Sequence, residues 1–593
     1  MNNYFRAVTF AAIAPLMLAT APLDAVAKGG AKGNKFGHEI GNGPKPGKGA
    51  GRFMEIQLLG FNDYHGHVKT DAVGFRVDEG GGEFLSAKLA ELRADHEHSF
   101  TVAAGDLIGG SPAFSGLFHD EPSVESLNAM GLDFAGVGNH EFDEGVDELL
   151  RMQFGGCHPV DGCYFSDLPF AGADFKWLAA NVVSEIDGVT TPLPGYWIEK
   201  VKGVKVGFIG MTLEATDSIV AAAGIVGWDF LDEVETANNL VPVLKYQGVE
   251  AIVVLLHEGG NQVPSPGDYN ACENFEGPVA AINDALDPEI DVIITGHTHQ
   301  PYNCRLPDAA GHERIVTSSY QYGRVVTEVS LVIDRRTKDV DRELSSAFNH
   351  AVVREELTPD PTVTAVIDKW QPLFDSFANE VVGSITRDIN RGGMPPGADR
   401  GVESAAGNLV ADAQFWATQN FGSEVAFMNP GGVRSDLVFA ESGSEGDGNV
   451  TFGEAFTFQP FNNGLEVLTM TGAQVVAVLE EQCQPIEEPG DRAFLHLGVS
   501  EGFSYDLTKN FGIDGSCTAT IENVQLNGVP LDLGDTYLVA VNSFLADGGD
   551  NFTSFTEALS RVTWGLDLDA LTTYLGENSP VAPPPTDRVN ELN

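Results

Sequence analysis

Positive charge is scarce in this chain: 34 lysines and arginines stand against 85 aspartates and glutamates, a net charge of −51. That imbalance repels polyanions and anionic membranes at long range, which excludes a nucleic-acid polymer as partner. A small anion must then be held by local cations. Long apolar runs are equally scarce. One stretch, Ala7 to Leu18, precedes the small-x-small pattern Ala25-Val26-Ala27 and reads as the core of an export signal, so the mature chain is expected to begin at Lys28. It is too short to cross a bilayer comfortably, and no later run approaches the ~18 residues of a membrane span. Cysteine is rare, with six in all, no zinc-cluster spacing and none placed to accept a lipid. An even count in an exported chain favours disulfides, and the local pairs Cys157–Cys163, Cys272–Cys304 and Cys483–Cys517 are expected. Disorder is excluded by 43% hydrophobic and 9% aromatic residues, and 593 residues suffice for roughly two to four domains.

Against that background, five short apolar strands run directly into metal-binding residue types: GFNDYHGH from Gly60, AAGD from Ala103, GVGNHEFD from Gly136, VVLLHEGG from Val253 and IITGHTHQ from Ile293. Asp63 and His65 are spaced i and i+2, as are His297 and His299, so on extended backbone each pair projects from one face. Asp106 has two carboxylate oxygens and can bridge two cations. Asp63, His65, Asp106 and His299 form one expected ligand set, and Asp106, Asn139, His257 and His297 the other. Asn139 can alternatively be read as a helix cap. Two divalent ions with these mixed ligands can be Zn, Mn, Co or Fe, and identity stays open. They would acidify a bridging water and supply hydroxide for in-line attack on phosphorus. His140, beside Asn139, is placed to face substrate, and Asp143 can hold its imidazole in one tautomer. His38, His96, His98, His119, His158, His312, His350 and His496 lack such a context and read as structural.

The ordered set D-x-H, GD, GNHEFD, HEGG and GHTH resembles the calcineurin-like metallophosphoesterases of the 5'-nucleotidase family. The second half carries that family's features in GNLVADA from Gly407, NPGGVRSDL from Asn429, FQPFNN from Phe458 and NSFLADGGDNF from Asn542. The resemblance covers about residues 53–560. It implies an α/β fold, with a four-layer α/β/β/α metallophosphoesterase domain, a linker helix and a smaller α/β C-terminal substrate-binding domain. It makes His140 and Asp143 a catalytic dyad, places the base between Phe461 and Phe544, the ribose on Asp550 and the base edge on Asn429. Arg434, displayed by the Gly-rich turn, suits a bidentate phosphate contact. Arg400 is the second phosphate candidate, with Arg391 and Arg387 behind it, because the family's first arginine falls in a segment that is irregular here.

Periodicity gives the organisation: a signal over 1–27, a Gly/Lys-rich tether over 28–52, the metal domain over 53–345, a linker with a helix over 346–380, the C-terminal domain over 381–575 and a flexible tail over 576–593. The linker helix is expected to open at Thr358 and Pro361 and to kink at Pro372. The expected function is hydrolysis of nucleotide 5'-phosphates, extending to UDP-sugars or nucleoside di- and triphosphates, by a periplasmic or secreted protein. The alternatives are a 2',3'-cyclic-nucleotide phosphodiesterase with 3'-nucleotidase activity, and a non-catalytic nucleotide-binding protein. Base preference and oligomeric state leave no mark in the sequence.

Overall fold

The computed structural model describes residues 51–69, 78–165, 168–262, 268–485, 492–512 and 515–592. The expected signal and nearly all of the expected tether lie outside them. The N-terminal half is built on two mixed sheets. In the first, Phe53–Phe61, Ser99–Ala104, Phe134–Gly136 and Lys176–Leu178 run parallel, and Val325–Asp334 joins Phe53–Phe61 antiparallel. In the second, Val204–Thr212, Ala251–His257, Val292–Thr295 and Glu313–Ser319 run parallel, edged by antiparallel Tyr196–Val201 and Pro301–Pro307.

These strands are apolar on both faces because both faces are covered. Ile56, Leu58, Val102, Ala104 and Phe134 of the first sheet pack on Val206, Phe208, Val253, Leu255 and Ile294 of the second. Outside the first sheet lie the helices Gly82–Arg93, Glu121–Met130 and Val146–Phe154. Outside the second lie Glu233–Tyr246 and Pro278–Ala285, through Val241, Leu244, Val279 and Ile282. Helix, sheet, sheet, helix is the expected four-layer order. The sheets converge so closely near their C-terminal edges that a Cβ on Gly136 would stand 2.6 Å from the carbonyl oxygen of Leu255.

The linker helix spans Pro361–Ala378. Asp360 caps it by accepting from the Thr362 amide, so the opening residue is not Thr358, and Pro372 lies within the single element. Two expected boundaries need correction. Ser346–Ala351 pairs with Val325–Asp334, so it completes the first sheet and is not linker. Nor is the last segment a loose tail: Val589–Glu591 pairs parallel with Phe503–Phe511, and Arg588 binds both carboxylate oxygens of Asp412 at 2.7 Å. Proline-rich composition hid a strand whose partner lies about eighty residues upstream. The C-terminal half carries a five-stranded sheet in the order Gly498–Val499, Val425–Met428, Thr536–Asn542, Gly464–Thr471 and Ser560–Leu566, with the helices Ala405–Thr418 and Asp567–Asn578 packed against it. All three expected disulfides are formed, Cys157–Cys163, Cys272–Cys304 and Cys483–Cys517.

Trp370 anchors the linker helix to the metal domain. It is fully buried, lies against Phe118 (5.0 Å) and Phe165 (4.8 Å), and donates its indole N–H to Glu125 Oε2 at 3.0 Å. Trp370→Ala is therefore expected to destabilise the protein by about 3–5 kcal/mol, measured by denaturant unfolding followed by circular dichroism. A loss below about 1 kcal/mol would show that the helix is not anchored there.

Candidate metal centre and nucleoside cleft

Every expected ligand stands at or just beyond the C-terminal end of a parallel strand. Asp63 and His65 follow Phe53–Phe61, Asp106 follows Ser99–Ala104, Asn139 follows Phe134–Gly136, His257 closes Ala251–His257, and His297 and His299 follow Val292–Thr295. The paired residues are not on extended backbone, however. Asp63 (φ 49°), His65 (φ 45°), His297 (φ 68°) and His299 (φ 54°) are all left-handed, as is Asp106 (φ 52°). The i, i+2 pairs converge because the chain coils tightly after each strand, and the alternation argument does not apply. Left-handed backbone costs a non-glycine residue roughly 1–3 kcal/mol, so surrounding contacts must hold it.

Two clusters result, Asp63, His65, Asp106 and His299 in one and Asp106, His257 and His297 in the other, with ligand atoms within 4.8 Å of one another in each. Asp106 belongs to both. Asn139 Oδ1 lies 3.1 Å from His297 Nδ1 and so joins the second; its side chain caps no helix. Proton placement follows from the outer contacts. His65 Nδ1 lies 2.8 Å from the Gly109 carbonyl and His257 Nδ1 lies 2.7 Å from that of Ala104, so each Nδ1–H donates outward and each Nε2 presents a lone pair inward. His65 Nε2 then faces His299 Nε2 at 3.2 Å and Asp106 Oδ2 at 3.5 Å. His257 Nε2 is buried with no hydrogen bond, 3.0 Å from Asp106 Oδ2, and His299 Nε2 is 3.1 Å from Asp63 Oδ1.

Ring nitrogens and carboxylate oxygens at such distances need a proton or a cation between them, and mixed oxygen and imidazole donors suit divalent transition metals. Burial holds His65 and His297 well below the usual imidazole range, in the neutral form that ligates. Burial also opposes charge on His257, but Asp106 overcomes it and raises that pKa to about 10, which marks Nε2 as a place that favours positive charge.

Glu141 is the site residue that sequence reasoning passed over. Its buried carboxylate accepts from the backbone amides of Asp106 (2.9 Å), Leu107 (2.8 Å) and Gly138, clamping the two ligand loops together. Burial, reinforced by Asp106, pushes its pKa up to about 7. The only sequence signal was a charged residue inside GNHEFD with no assigned task. Gly138 is required for close approach, because a Cβ there would lie 2.3 Å from Asp106 Oδ1.

His140 Nδ1 lies 2.7 Å from Asp143 Oδ2, and its ring is near-parallel to Phe461, with centroids 5.9 Å apart. Burial disfavours charge on His140, yet Asp143 and Asp106 prevail and raise its pKa. A cavity of about 1190 Å³ separates the two halves. It is lined by Asp106, Asn139, His140, Asp143, His297 and His299 on one side, and by all six expected substrate residues, Arg400, Asn429, Arg434, Phe461, Phe544 and Asp550, on the other. Asn429 Nδ2 donates to Asp550 Oδ2 at 2.9 Å, and the Arg434 guanidinium stands 5.7 Å over the Phe461 ring. Neither Arg387 nor Arg391 lines the cavity. Arg391 instead binds Asp436 (3.3 Å) and the Arg434 carbonyl (2.7 Å), bracing the turn that presents Arg434. Arg492, which the sequence did not single out, joins the lining. His119 and His158 stack at 3.7 Å near the cavity wall, but both ring nitrogens of His119 are taken by Glu144 and Asp161, which suits a structural ion pair.

Known proteins share the fold and the family profiles of this chain. The calcineurin-like phosphoesterase profile matches residues 56–301, and the profile of the 5'-nucleotidase C-terminal domain matches 381–557. The fold and site thus define a calcineurin-like phosphoesterase, a class that uses divalent metals. The chain is similar to a cell wall protein of Listeria monocytogenes, at 33% identity over 88% of this chain and 67% of that protein. An endonuclease of Bacillus subtilis is 31% identical over 83% of this chain, which spans 37% of that larger protein. A 5'-nucleotidase precursor from Thermus thermophilus shares the fold, with a TM-score of 0.73 at 24% identity, covering 91% of this chain and all of that one. The chain belongs to the 5'-nucleotidase family and is a hydrolase of that family.

Replacing the Glu141 clamp tests how the ligand loops are held. Glu141→Ala leaves three buried amides without an acceptor and is expected to lower stability by roughly 2–4 kcal/mol, with a smaller loss for Glu141→Gln, read by thermal unfolding. Equal stability of the alanine variant and the parent would refute the clamp.

Proposed function

We propose that the protein is an exported 5'-nucleotidase that removes the 5'-phosphate of nucleotides, extending to nucleoside polyphosphates or UDP-sugars. The observation that carries this reading is the single cavity in which the ligand clusters and the dyad face two phenylalanines, Asp550 and the arginines. Asp63, His65, Asp106 and His299 would hold one divalent cation, and Asp106, Asn139, His257 and His297 a second. When bound, such a pair acidifies water and neutralises phosphoryl charge. Asp143 keeps the proton of His140 on Nδ1, so that Nε2 meets the substrate and, when protonated, can deliver a proton to the leaving oxygen. Arg434 and Arg400 orient the phosphate, Phe461 and Phe544 take the two faces of the base, Asp550 accepts from the ribose hydroxyls and Asn429 meets the base edge.

Domain boundaries follow the same reading, with the metal domain running to the end of Ser346–Ala351, the helix Pro361–Ala378 as connector, and the substrate domain beyond it. Export to a periplasmic or extracellular site is supported by three disulfides and by similarity to a cell wall protein.

Phosphate release from AMP, UMP, ADP, UDP-glucose and 2',3'-cyclic AMP by metal-reconstituted protein tests the reading, with 5'-monophosphates expected among the good substrates. Turnover of the cyclic nucleotide alone would replace it. Recognition is tested separately with Phe544→Ala, which removes a stacking face worth roughly 1–3 kcal/mol. The variant is expected to lose about 5–150-fold in kcat/KM on AMP and far less on p-nitrophenyl phosphate, which has no base. Equal losses on both would assign Phe544 to the core.

A further inference from the structure

Glu141 holds the amides of Asp106 and Leu107, but the loop that begins there runs on through Gly109 to Ser111 and is fixed in its middle from elsewhere. Gly109 touches both parts of the centre. Its carbonyl lies 2.8 Å from His65 Nδ1 and so sets the direction in which that imidazole faces. A Cβ on Gly109 would stand 2.4 Å from the His140 carbonyl oxygen and 2.6 Å from Asp143 Oδ2, so the loop is packed directly against the dyad. A shift of Gly109 would be felt at His65 and His140 together.

The Gly109 amide donates to Asp120 Oδ2 at 2.9 Å. Asp120 directly precedes the helix Glu121–Met130, the position from which an aspartate ordinarily accepts from an amide of the first turn. It makes no such bond here. Its backbone is left-handed (φ 58°), as is that of His119 before it (φ 49°), and its side chain is buried. One residue thus forgoes a capping bond, an ordinary backbone conformation and the solvation of its charge. What the structure shows in return is the bond to Gly109, with the other oxygen turned to the chain beside His65, where a Cβ on Gly66 would stand 2.8 Å from Asp120 Oδ1. The carboxylate is wedged between the two segments that carry His65 and Asp106. Their backbones are already paired, the His65 amide with the Asp106 carbonyl at 2.9 Å and the Gly66 amide with the Leu107 carbonyl at 3.2 Å.

We propose that Asp120 is a positioning residue for the metal centre. By fixing Gly109 it fixes the carbonyl that orients His65, and so strengthens cation binding in the cluster of Asp63, His65, Asp106 and His299. His257 is outside its reach, because the Ala104 carbonyl orients that ring. Asp120 is itself no member of either ligand cluster and acts through the loop. The inference rests on the metal-centre reading above.

The test compares the parent with Asp120→Gly and Asp120→Asn, each as the full chain stripped of metal and titrated with zinc against a chelating dye. Glycine adopts left-handed backbone without strain and is tolerated before a helix, so it removes the carboxylate with little other disturbance. Asparagine keeps an acceptor oxygen for the Gly109 amide and also tolerates that backbone. In the glycine variant one of two zinc equivalents is expected to bind about 10–100-fold more weakly, with recovery in the asparagine variant and nearly unchanged thermal unfolding of the metal-free proteins. Two equivalents bound as tightly as by the parent would overturn the proposal. Equal weakening of both, or no recovery by asparagine, would also overturn it and make Asp120 merely structural. Should the glycine variant fail to fold, Asp120→Glu, which keeps the charge and displaces the acceptor, is read in the same way. A parent that binds no zinc would overturn the metal-centre reading instead. Deuterium exchange of the Gly109 amide then decides on Asp120 alone: exchange about 10–100-fold faster in the glycine variant supports its hold on the loop, and equal exchange refutes it.

Discussion

The structure is organised around buried carboxylates and imidazoles packed so closely that each contact needs a proton or a cation between its partners. His65 Nε2 and His299 Nε2 meet at 3.2 Å, and His257 Nε2 and Asp106 Oδ2 at 3.0 Å, in buried surroundings where the outer ring nitrogens of His65 and His257 already spend their protons on backbone carbonyls. Ring nitrogens and carboxylate oxygens this close in a low dielectric require a proton or a cation between them. The surrounding architecture serves that requirement. Parallel strands from both sheets deliver their C-terminal ends to one line, glycines let the sheets converge, and Glu141 gathers three amides so that the loops bearing Asp106 and Asn139 keep their coiled shape. Left-handed conformations at five of the seven ligands belong to the tight coils that follow the strands and bring the i, i+2 pairs together.

The cleft repeats this logic with the opposite sign. On the metal-centre side stand acidic and imidazole groups suited to cations, and on the other side guanidiniums suited to anions. A phosphate ester is complementary to both, whereas a net charge of −51 disfavours any extended polyanion at long range. Phe461 joins the two halves physically, its ring near-parallel to that of His140 and beneath the Arg434 guanidinium. On the proposed reading, recognition in one half and chemistry in the other meet at these residues.

Much of this was legible in the sequence, though not always for the right physical reason. Apolar runs ending in Asp, His or Asn identified the strands and all seven ligand candidates, because a buried strand and a ligand-bearing exit are both compositional signals. The tight coils after those strands were not legible, since left-handed φ at Asp63 or His297 leaves no trace in residue type beyond a general tolerance of Asp and His for such turns. Glu141 was missed because the amides of Asp106 and Leu107 that it binds lie 35 and 34 residues away in the chain. The terminal strand Val589–Glu591 was missed because a short strand pairing parallel with a distant one carries no local period. The disulfides were within reach because each pair closes a local loop.

Sharing of Asp106 between two cation sites is the central claim, and it is tested most directly by counting bound metal by mass spectrometry in the purified parent and in Asp106→Ala. The account predicts close to two divalent ions per chain in the parent and a loss at both sites in the variant, because among the described residues no other carboxylate belongs to both ligand sets. Two ions retained by Asp106→Ala, or a parent that binds none under reconstitution, would contradict it.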